Sequence, residues 1–170
     1  MKIRLLLNFC LLACGTVYAQ DTINNRMPGT NVIAGTYSLI SVDNLLADGS
    51  RVHSYGNHPH GILIMDAKGN YSLQIVSEDR QKFVSGDKSK GTDEENKLAI
   101  QGCNAHFGTY SIDTLKHTIT FYINHASFPN WESTKQVRPF EFDGSVFKYK
   151  VPAPTTGGSV TGEVVWKHIE

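Results

Sequence analysis

The chain has 170 residues, of which 16 are basic, 16 are acidic and 40% are hydrophobic. This length suits one domain of ordinary size. The basic residues form no stripe, which argues against nucleic acid as a partner, and after the first twenty residues no apolar run approaches the length of a membrane span.

The first nineteen residues have the pattern of a secretory signal peptide. Lys2 and Arg4 form a basic start, an apolar run follows, and Val17 and Ala19 stand at the positions that a signal peptidase recognises. We therefore expect cleavage after Ala19 and a periplasmic or secreted protein. The alternative is a lipoprotein that is lipidated at Cys14.

The predicted signal peptide covers residues 1–19, a flexible N-terminal arm covers residues 20–34, and one domain covers residues 35–170. After cleavage the chain keeps one cysteine, Cys103, so no internal disulfide is expected. Oligomeric state is not predicted by any of these features.

Short alternating segments bounded by turn residues predict strands. The predicted strands cover residues 35–42, 61–65, 71–76, 107–112, 118–125, 134–142, 146–151 and 162–168, and residues 51–53 form a short extended piece. Asp143-Gly144 between two of these segments is a strong hairpin signal. Sequential strands with short turns favour an all-β, up-and-down antiparallel barrel of eight strands with one short α-helix, because closure removes the exposed edges.

The helix is predicted from a capping box. Thr92 and Glu95 have the spacing at which each side chain can bond the backbone amide of the other, after a charged loop over residues 78–91. We expect the helix to end near Ala105, to pack closely through a stripe of small residues, and to hold Cys103 inert within it.

The strand at residues 134–142 carries the least usual side chain. The face with two phenylalanines also carries Gln136 and Arg138. An arginine among aromatic residues keeps its charge and needs an acceptor. Two interpretations stay open: the acceptor belongs to a ligand, or it is a carboxylate of the protein such as Glu141 or Glu163.

Alternation of the strands places an aromatic wall and a few polar groups inside the barrel, as in small-molecule sites. The predicted ligand contacts are Tyr71, Tyr110, His125, Trp131, Gln136 and Arg138. The alternative is that the same residues form a filled core, with Trp131 closing one end, in a structural or interaction protein.

Metal binding and catalysis have weaker signals. His58 and His60 could form part of a metal site, but Leu63 and Ile64 stand where a further ligand is needed, so we expect neither a metal nor a cofactor. His125, at a strand end, is a candidate acid–base group. The sequence contains no nucleophile elbow or recognisable triad order, and no catalytic residue is assigned.

Several motifs together carry a family resemblance over residues 34–169. The matching pieces are Gly35-Thr36-Tyr37-Ser38-Leu39, Tyr55-Gly56, Pro59-His60-Gly61-Ile62-Leu63-Ile64, Phe107-Gly108-Thr109-Tyr110-Ser111-Ile112-Asp113, Phe128-Pro129-Asn130-Trp131, Gln136-Val137-Arg138 and Trp166. In these motifs the chain resembles the bacterial and fungal lipocalin-like domain family. It departs from that family at His58 and His60, where acidic or apolar residues are commoner.

The resemblance implies an eight-stranded barrel with a cavity for a small hydrophobic ligand. The first hypothesis is therefore an exported lipocalin-like barrel that binds a small, largely apolar molecule, with Arg138 facing an anionic or carbonyl end. The alternative is a cyclase- or isomerase-type enzyme that uses the same cavity, because some relatives are associated with biosynthetic pathways. A filled barrel is the third hypothesis.

Overall fold

The structure, a computed structural model, describes residues 32–152, 154 and 161–169. The predicted signal peptide, its cleavage site, the lipoprotein alternative at Cys14 and most of the predicted arm lie outside the described residues.

Nine strands form one antiparallel sheet. They are β1 (Gly35–Leu45), β2 (Arg51–His53), β3 (His60–Met65), β4 (Asn70–Val76), β5 (Cys103–Asp113), β6 (Thr118–Ala126), β7 (Thr134–Phe142), β8 (Val146–Pro152) and β9 (Thr161–His168). β1 pairs with both β3 and β9, which closes a ring of eight strands, and β2 adds to the end of β1 outside that ring. The predicted all-β, closed eight-stranded antiparallel barrel is confirmed.

The barrel core follows from alternation along each strand. In β4, for example, Tyr71, Leu73 and Ile75 are buried, while Asn70 and Gln74 are exposed. Strand side chains alternate between faces, so one apolar set of each strand points inward. The largest fully buried side chains are Trp166, Tyr37, Tyr110, Tyr149, Phe121 and Phe147.

One end of the barrel is filled by aromatic rings around Tyr37. The Tyr37 ring lies 5.8 Å from Phe147, 6.4 Å from Phe142 and 4.9 Å from His168, measured between centroids. The Tyr110 hydroxyl donates a hydrogen bond of 2.8 Å to the carbonyl of Asp66, in the β3–β4 turn at the same end. The interior is therefore solid near this turn.

The short helix α1 (Asp93–Gln101) begins at the predicted cap. The Thr92 hydroxyl accepts from the Glu95 amide at 3.2 Å, and the Glu95 carboxylate accepts from the Thr92 amide at 2.8 Å. The predicted end near Ala105 is wrong, because residues 103–105 pair with β4 as the start of β5. No helix in the described ranges is both long and apolar enough to cross a membrane.

The predicted close packing of the helix is also wrong. None of the residues of α1 is buried, and Leu98 and Ile100 are 43% and 60% exposed. Of the small residues that suggested a packed stripe, Cys103 and Ala105 lie in β5, where they pair with β4, and Gly102 caps the helix. Cys103 is a free, partly exposed cysteine in that strand and not a helical residue.

Candidate functional site

The end of the barrel opposite the ring-filled end contains a cavity made of two connected chambers. The arginine chamber, of about 330 Å³, is lined by Val42, Ile75, Gln136, Val137, Arg138, Tyr149, Val151, Pro152, Pro154, Gly162 and Val164. The mouth chamber, of about 460 Å³, is lined by Val52, Ile100, Gln101, Cys103, Ser127 and Phe128. Both chambers share a throat formed by Asn44, Ser54, Tyr55, Asn104 and Trp131.

Arg138 supplies the charge of the arginine chamber. Its side chain is held by β7 with its guanidinium carbon 5.0 Å from the ring centroid of Tyr149 and 5.5 Å from that of Phe121. The guanidinium also donates a hydrogen bond to Oε1 of Gln136. Burial lowers the pKa of Arg138 from its ordinary value, and nearby Tyr149 opposes that shift; arginine nevertheless stays charged in proteins.

The two carboxylates considered as partners of Arg138 are paired elsewhere. Glu141 accepts from Nζ of Lys148 at 2.8 Å, and Glu163 accepts from Nη1 of Arg51 at 2.6 Å. Within the described part of the chain, no ion pair joins Arg138 to an acidic residue. The interpretation that Glu141 or Glu163 neutralises Arg138 is therefore wrong.

The barrel wall next to Arg138 is open. β7 and β8 pair only through Phe140, Glu141 and Phe142 within the described ranges, although β7 begins at Thr134 and β8 continues to Pro152. Pro139 stands where the ladder stops, and proline has no amide hydrogen to donate to a neighbouring strand. The arginine chamber reaches this opening at Val137 and Pro152.

A second polar pair lies in the core beside the chamber. The Tyr71 hydroxyl hydrogen-bonds Nδ1 of His106 at 2.8 Å, and both residues are buried. The His106 ring meets the ring of Trp131 edge-on at 6.0 Å. Burial, together with the positive charge of Arg138, lowers the pKa of His106 to about 3, so the imidazole is neutral near pH 7.

This depressed pKa should make the protein less stable in mild acid. In the unfolded chain the histidine pKa is about 6.5, so below that pH the unfolded state binds a proton that His106 does not bind in the folded state. We expect His106 to lower the free energy of unfolding by about 1 kcal/mol between pH 7 and pH 5.5. Urea unfolding at several pH values in this range gives the slope of the unfolding free energy against pH for the wild type and for His106→Gln. The difference between the two slopes is the contribution of His106.

Tyr71→Phe is the matched control for that measurement. It removes the hydrogen bond but keeps the buried imidazole, and desolvation is the larger cause of the pKa shift. We therefore expect Tyr71→Phe to keep the pH dependence of the wild type. Equal slopes for the wild type and His106→Gln would contradict the buried neutral histidine.

The structure brings together four of the six predicted contacts. Trp131, Gln136 and Arg138 line the arginine chamber. Tyr71 lies in the adjoining core, close enough to Arg138 for the guanidinium charge to lower the pKa of its hydroxyl, although burial raises that pKa more. Tyr110 lies at the filled end instead, bonded to Asp66.

His125 lies outside the barrel, contrary to the inward face that alternation predicts. Its side chain is 67% exposed, with the ring 5.6 Å from that of Phe107 and Nδ1 3.4 Å from Glu132. The strand register shifts here, since Gly108 pairs with Ile123 but Phe107 pairs with His125. This β-bulge adds one residue to β6 and so reverses which side chains point inward.

The sequence contained one signal for this bulge. A Cβ at Gly108 would lie 2.0 Å from the carbonyl oxygen of Tyr122 and 2.9 Å from the amide of Asn124. Glycine within a strand often marks a bulge or a close approach of two backbones. Gly108 therefore permits the shift that turns His125 outward.

The throat residues are the main part of the site that the sequence did not predict. Tyr55 was singled out only as part of a family motif and Asn104 only as part of the predicted helix, and Ser54 belonged to no predicted element. The structure places Asn104 in β5, paired with Ile75 of β4. If the helix had been predicted to end at Gly102, Asn104 would have fallen in the following strand, where its side chain could face the cavity.

Metal binding receives no support from the arrangement of histidines and carboxylates. In the described ranges, no three His, Cys, Asp or Glu side chains come close enough to hold an ion. His58 and His60 are both exposed, and the amide of His58 donates to Glu78 at 3.0 Å. Glu78 thus supports the loop before β3.

Comparison with known proteins gives one family. Residues 34–169 match the family described as lipocalin-like domain, and this match covers most of the chain. No curated protein shows significant similarity to the chain.

Proposed function

Because this chain belongs to the lipocalin-like domain family, we propose that it binds a small, largely apolar ligand that has an anionic or carbonyl end. One observation carries the proposal: Arg138 is 6% exposed, lines a cavity, and has no acidic partner among the residues that the structure describes. A buried cation is costly without a counter-charge. A carboxylate or carbonyl oxygen of the ligand would supply it through charge-assisted hydrogen bonds.

The remaining lining fits the apolar body of such a ligand. Val42, Ile75, Val151 and Val164 surround the arginine chamber, and Trp131 separates it from the mouth chamber. Apolar walls with a few convergent polar groups are typical of small-molecule sites. The wall supplies affinity by burial, and Arg138 supplies the preference for one end of the ligand.

The test compares an acid with its neutral analogues. Decanoate, methyl decanoate and 1-bromodecane are titrated at pH 7 into the protein lacking residues 1–19, with the fluorescence of Trp131 as the signal. We expect decanoate to bind about tenfold tighter than methyl decanoate, because a hydrogen bond to a charged acceptor exceeds a neutral one by about 1.4 kcal/mol. The bromide should bind most weakly.

Trp131→Phe is the control for the signal, since the remaining Trp166 is fully buried and is not among the residues that line either chamber. The fluorescence of the Trp131→Phe protein should not change when a ligand is added, although calorimetry should still detect binding. Equal affinity for all three probes, or no heat with any of them, would reject the proposed function.

The two other hypotheses find less support in the cavity. The lining of both chambers, as far as the structure describes it, offers no histidine or carboxylate for acid–base chemistry, so the cyclase or isomerase alternative rests on the family resemblance. The hypothesis of a filled barrel agrees only with the end of the barrel that holds Tyr37, Phe142 and Phe147.

The proposed place of action is outside the cytoplasm. This part of the proposal rests on the signal-peptide pattern that ends at Ala19. The mass of the mature protein tests it, because a chain that begins at Gln20 supports cleavage and a lipidated chain that begins at Cys14 supports the lipoprotein alternative.

A further inference from the structure

The throat between the two chambers contains two oxygen atoms without hydrogen-bond partners. Oγ of Ser54 and Oδ1 of Asn104 are closed off from solvent, and neither finds a partner among the described residues. A buried polar atom without a hydrogen-bond partner destabilises the folded state, so such atoms are rare in native proteins. Here both belong to side chains that line the cavity.

The local structure decides what kind of group these oxygens can take. The Asn104 amide interacts with the hydroxyl of Tyr55, which offsets part of the rise that burial causes in the pKa of Tyr55. Oδ1 of Asn104 is an amide oxygen, so it can only accept a hydrogen bond. The Ser54 hydroxyl can donate or accept. The complementary group is therefore a hydrogen-bond donor such as a hydroxyl or an amide N–H.

The size of the arginine chamber limits where that donor stands on the ligand. The chamber has a volume of about 330 Å³ and extends from Arg138 to Asn104 and Ser54. An acid group on Arg138 and a donor at the throat therefore both belong to the part of the ligand that lies inside this one chamber. The donor then lies toward the acid end of the ligand, and the mouth chamber, whose lining includes Val52, Ile100 and Phe128, takes the apolar remainder beyond Trp131.

We propose that the ligand is an acid with a second polar group near its charged end, as in a 3-hydroxy acid or an N-acyl amino acid. This inference rests on the proposed function, since Arg138 takes the acid. The donor bonds Oδ1 of Asn104 after a small rotation of that side chain, with Ser54 beside it, and the acyl chain points toward the mouth. The throat thus selects among acids that Arg138 alone would not distinguish.

The experiment uses four acids on the chain from Gln20 to Glu170. They are decanoate, 3-hydroxydecanoate, N-octanoylglycine and, as a matched control, 10-hydroxydecanoate, whose hydroxyl lies at the far end. We expect 3-hydroxydecanoate or N-octanoylglycine to bind at least tenfold tighter than decanoate, and 10-hydroxydecanoate to gain less than threefold. Whichever of the two is preferred shows whether the donor is a hydroxyl or an amide.

Two variants connect the preference to the throat. Asn104→Leu and Ser54→Ala should weaken the binding of the preferred acid at least tenfold more than they weaken the binding of decanoate. If the wild type binds all four acids equally, the inference is overturned, although the proposed function stands as long as Arg138 is needed for decanoate. If none of the acids binds, both are overturned. A preference that survives in Asn104→Leu also overturns the assignment to the throat.

Discussion

Replacing Arg138 by methionine is expected to remove the preference for acids without unfolding the protein. Methionine matches the length of the arginine stem and leaves an apolar group between Phe121 and Tyr149, whose rings lie 5.5 Å and 5.0 Å from the guanidinium carbon. Loss of a charge-assisted hydrogen bond to the ligand should weaken decanoate binding about 100-fold. The affinity for methyl decanoate should fall much less.

The stability of Arg138→Met is the more informative part of this prediction. A buried arginine tied to a carboxylate of the protein would cost about 3–5 kcal/mol to remove, because the carboxylate would be left unpaired. Among the described residues Arg138 contacts Gln136 and aromatic rings and no carboxylate. We therefore expect the free energy of unfolding to stay within about 1 kcal/mol of the wild type, or to rise.

Thermal unfolding with and without decanoate measures both effects on one instrument. Ligand that binds the folded state raises the melting temperature of the wild type, and this rise should vanish in Arg138→Met. Arg138→Lys is the matched control, because it keeps the charge and should keep part of the rise. A loss of 3 kcal/mol or more in Arg138→Met would indicate a carboxylate partner and contradict this account.

The barrel was predictable because its determinants are local. Alternation, turn residues and the capping box act over a few residues, and they placed the strands and the start of α1 within a few positions of where they lie. The inward placement of Tyr71, Gln136 and Arg138 follows from the same periodicity, since each lies in a strand segment without a bulge.

The errors arose where a long-range contact overrides local pattern. His125 fits the inward phase of β6, but the bulge opposite Gly108 depends on pairing with another strand and reverses that phase. Asn104 fits a continued helix, but pairing with Ile75 of β4 draws it into β5. Alternation along one segment contains no information about its partner, so neither position could be placed from that segment alone.

The question of which acid faces Arg138 was beyond the sequence for the same reason. Glu141 lies three residues from Arg138 in the same strand, so alternation already places it on the opposite face. Only the position of Glu163 depends on the register of another strand. The structure assigns them to Lys148 and Arg51 on the outer face of the barrel. A shift of one residue in the register of β9 would move Glu163 from the outer face to the inner face. There it could neutralise Arg138, which is instead available to a ligand.

Arg51→Met is expected to have the opposite effect on stability from Arg138→Met. Asp43 and Glu163 are paired across β1 and β9, and they are only 5% and 6% exposed. Nη1 of Arg51 lies 3.1 Å from Asp43 and 2.6 Å from Glu163. Its removal leaves two neighbouring buried carboxylates without their shared cation, although His53 still contacts Asp43 at 2.8 Å.

The expected loss is smaller than for a fully buried ion pair. The Arg51 side chain is 48% exposed, so water screens part of the interaction. Allowing for this, we expect the free energy of unfolding to fall by about 2–3 kcal/mol. Lys148→Met is the comparison: it removes the ion pair with the exposed Glu141 and a weaker attraction to Glu163, so its stability should change less than that of Arg51→Met.

A second substitution separates charge from packing in Arg51→Met. Adding Glu163→Gln replaces one unpaired carboxylate by a neutral amide, so part of the lost stability should return, and the double-mutant cycle gives the coupling energy. Arg51 also anchors β2, which continues into Ser54 and Tyr55 of the throat. We therefore expect Arg51→Met to weaken 3-hydroxydecanoate binding together with stability, whereas Arg138→Met weakens acid binding alone. Equal melting temperatures for Arg51→Met and the wild type would show that the outer ion pairs do not hold this wall of the cavity.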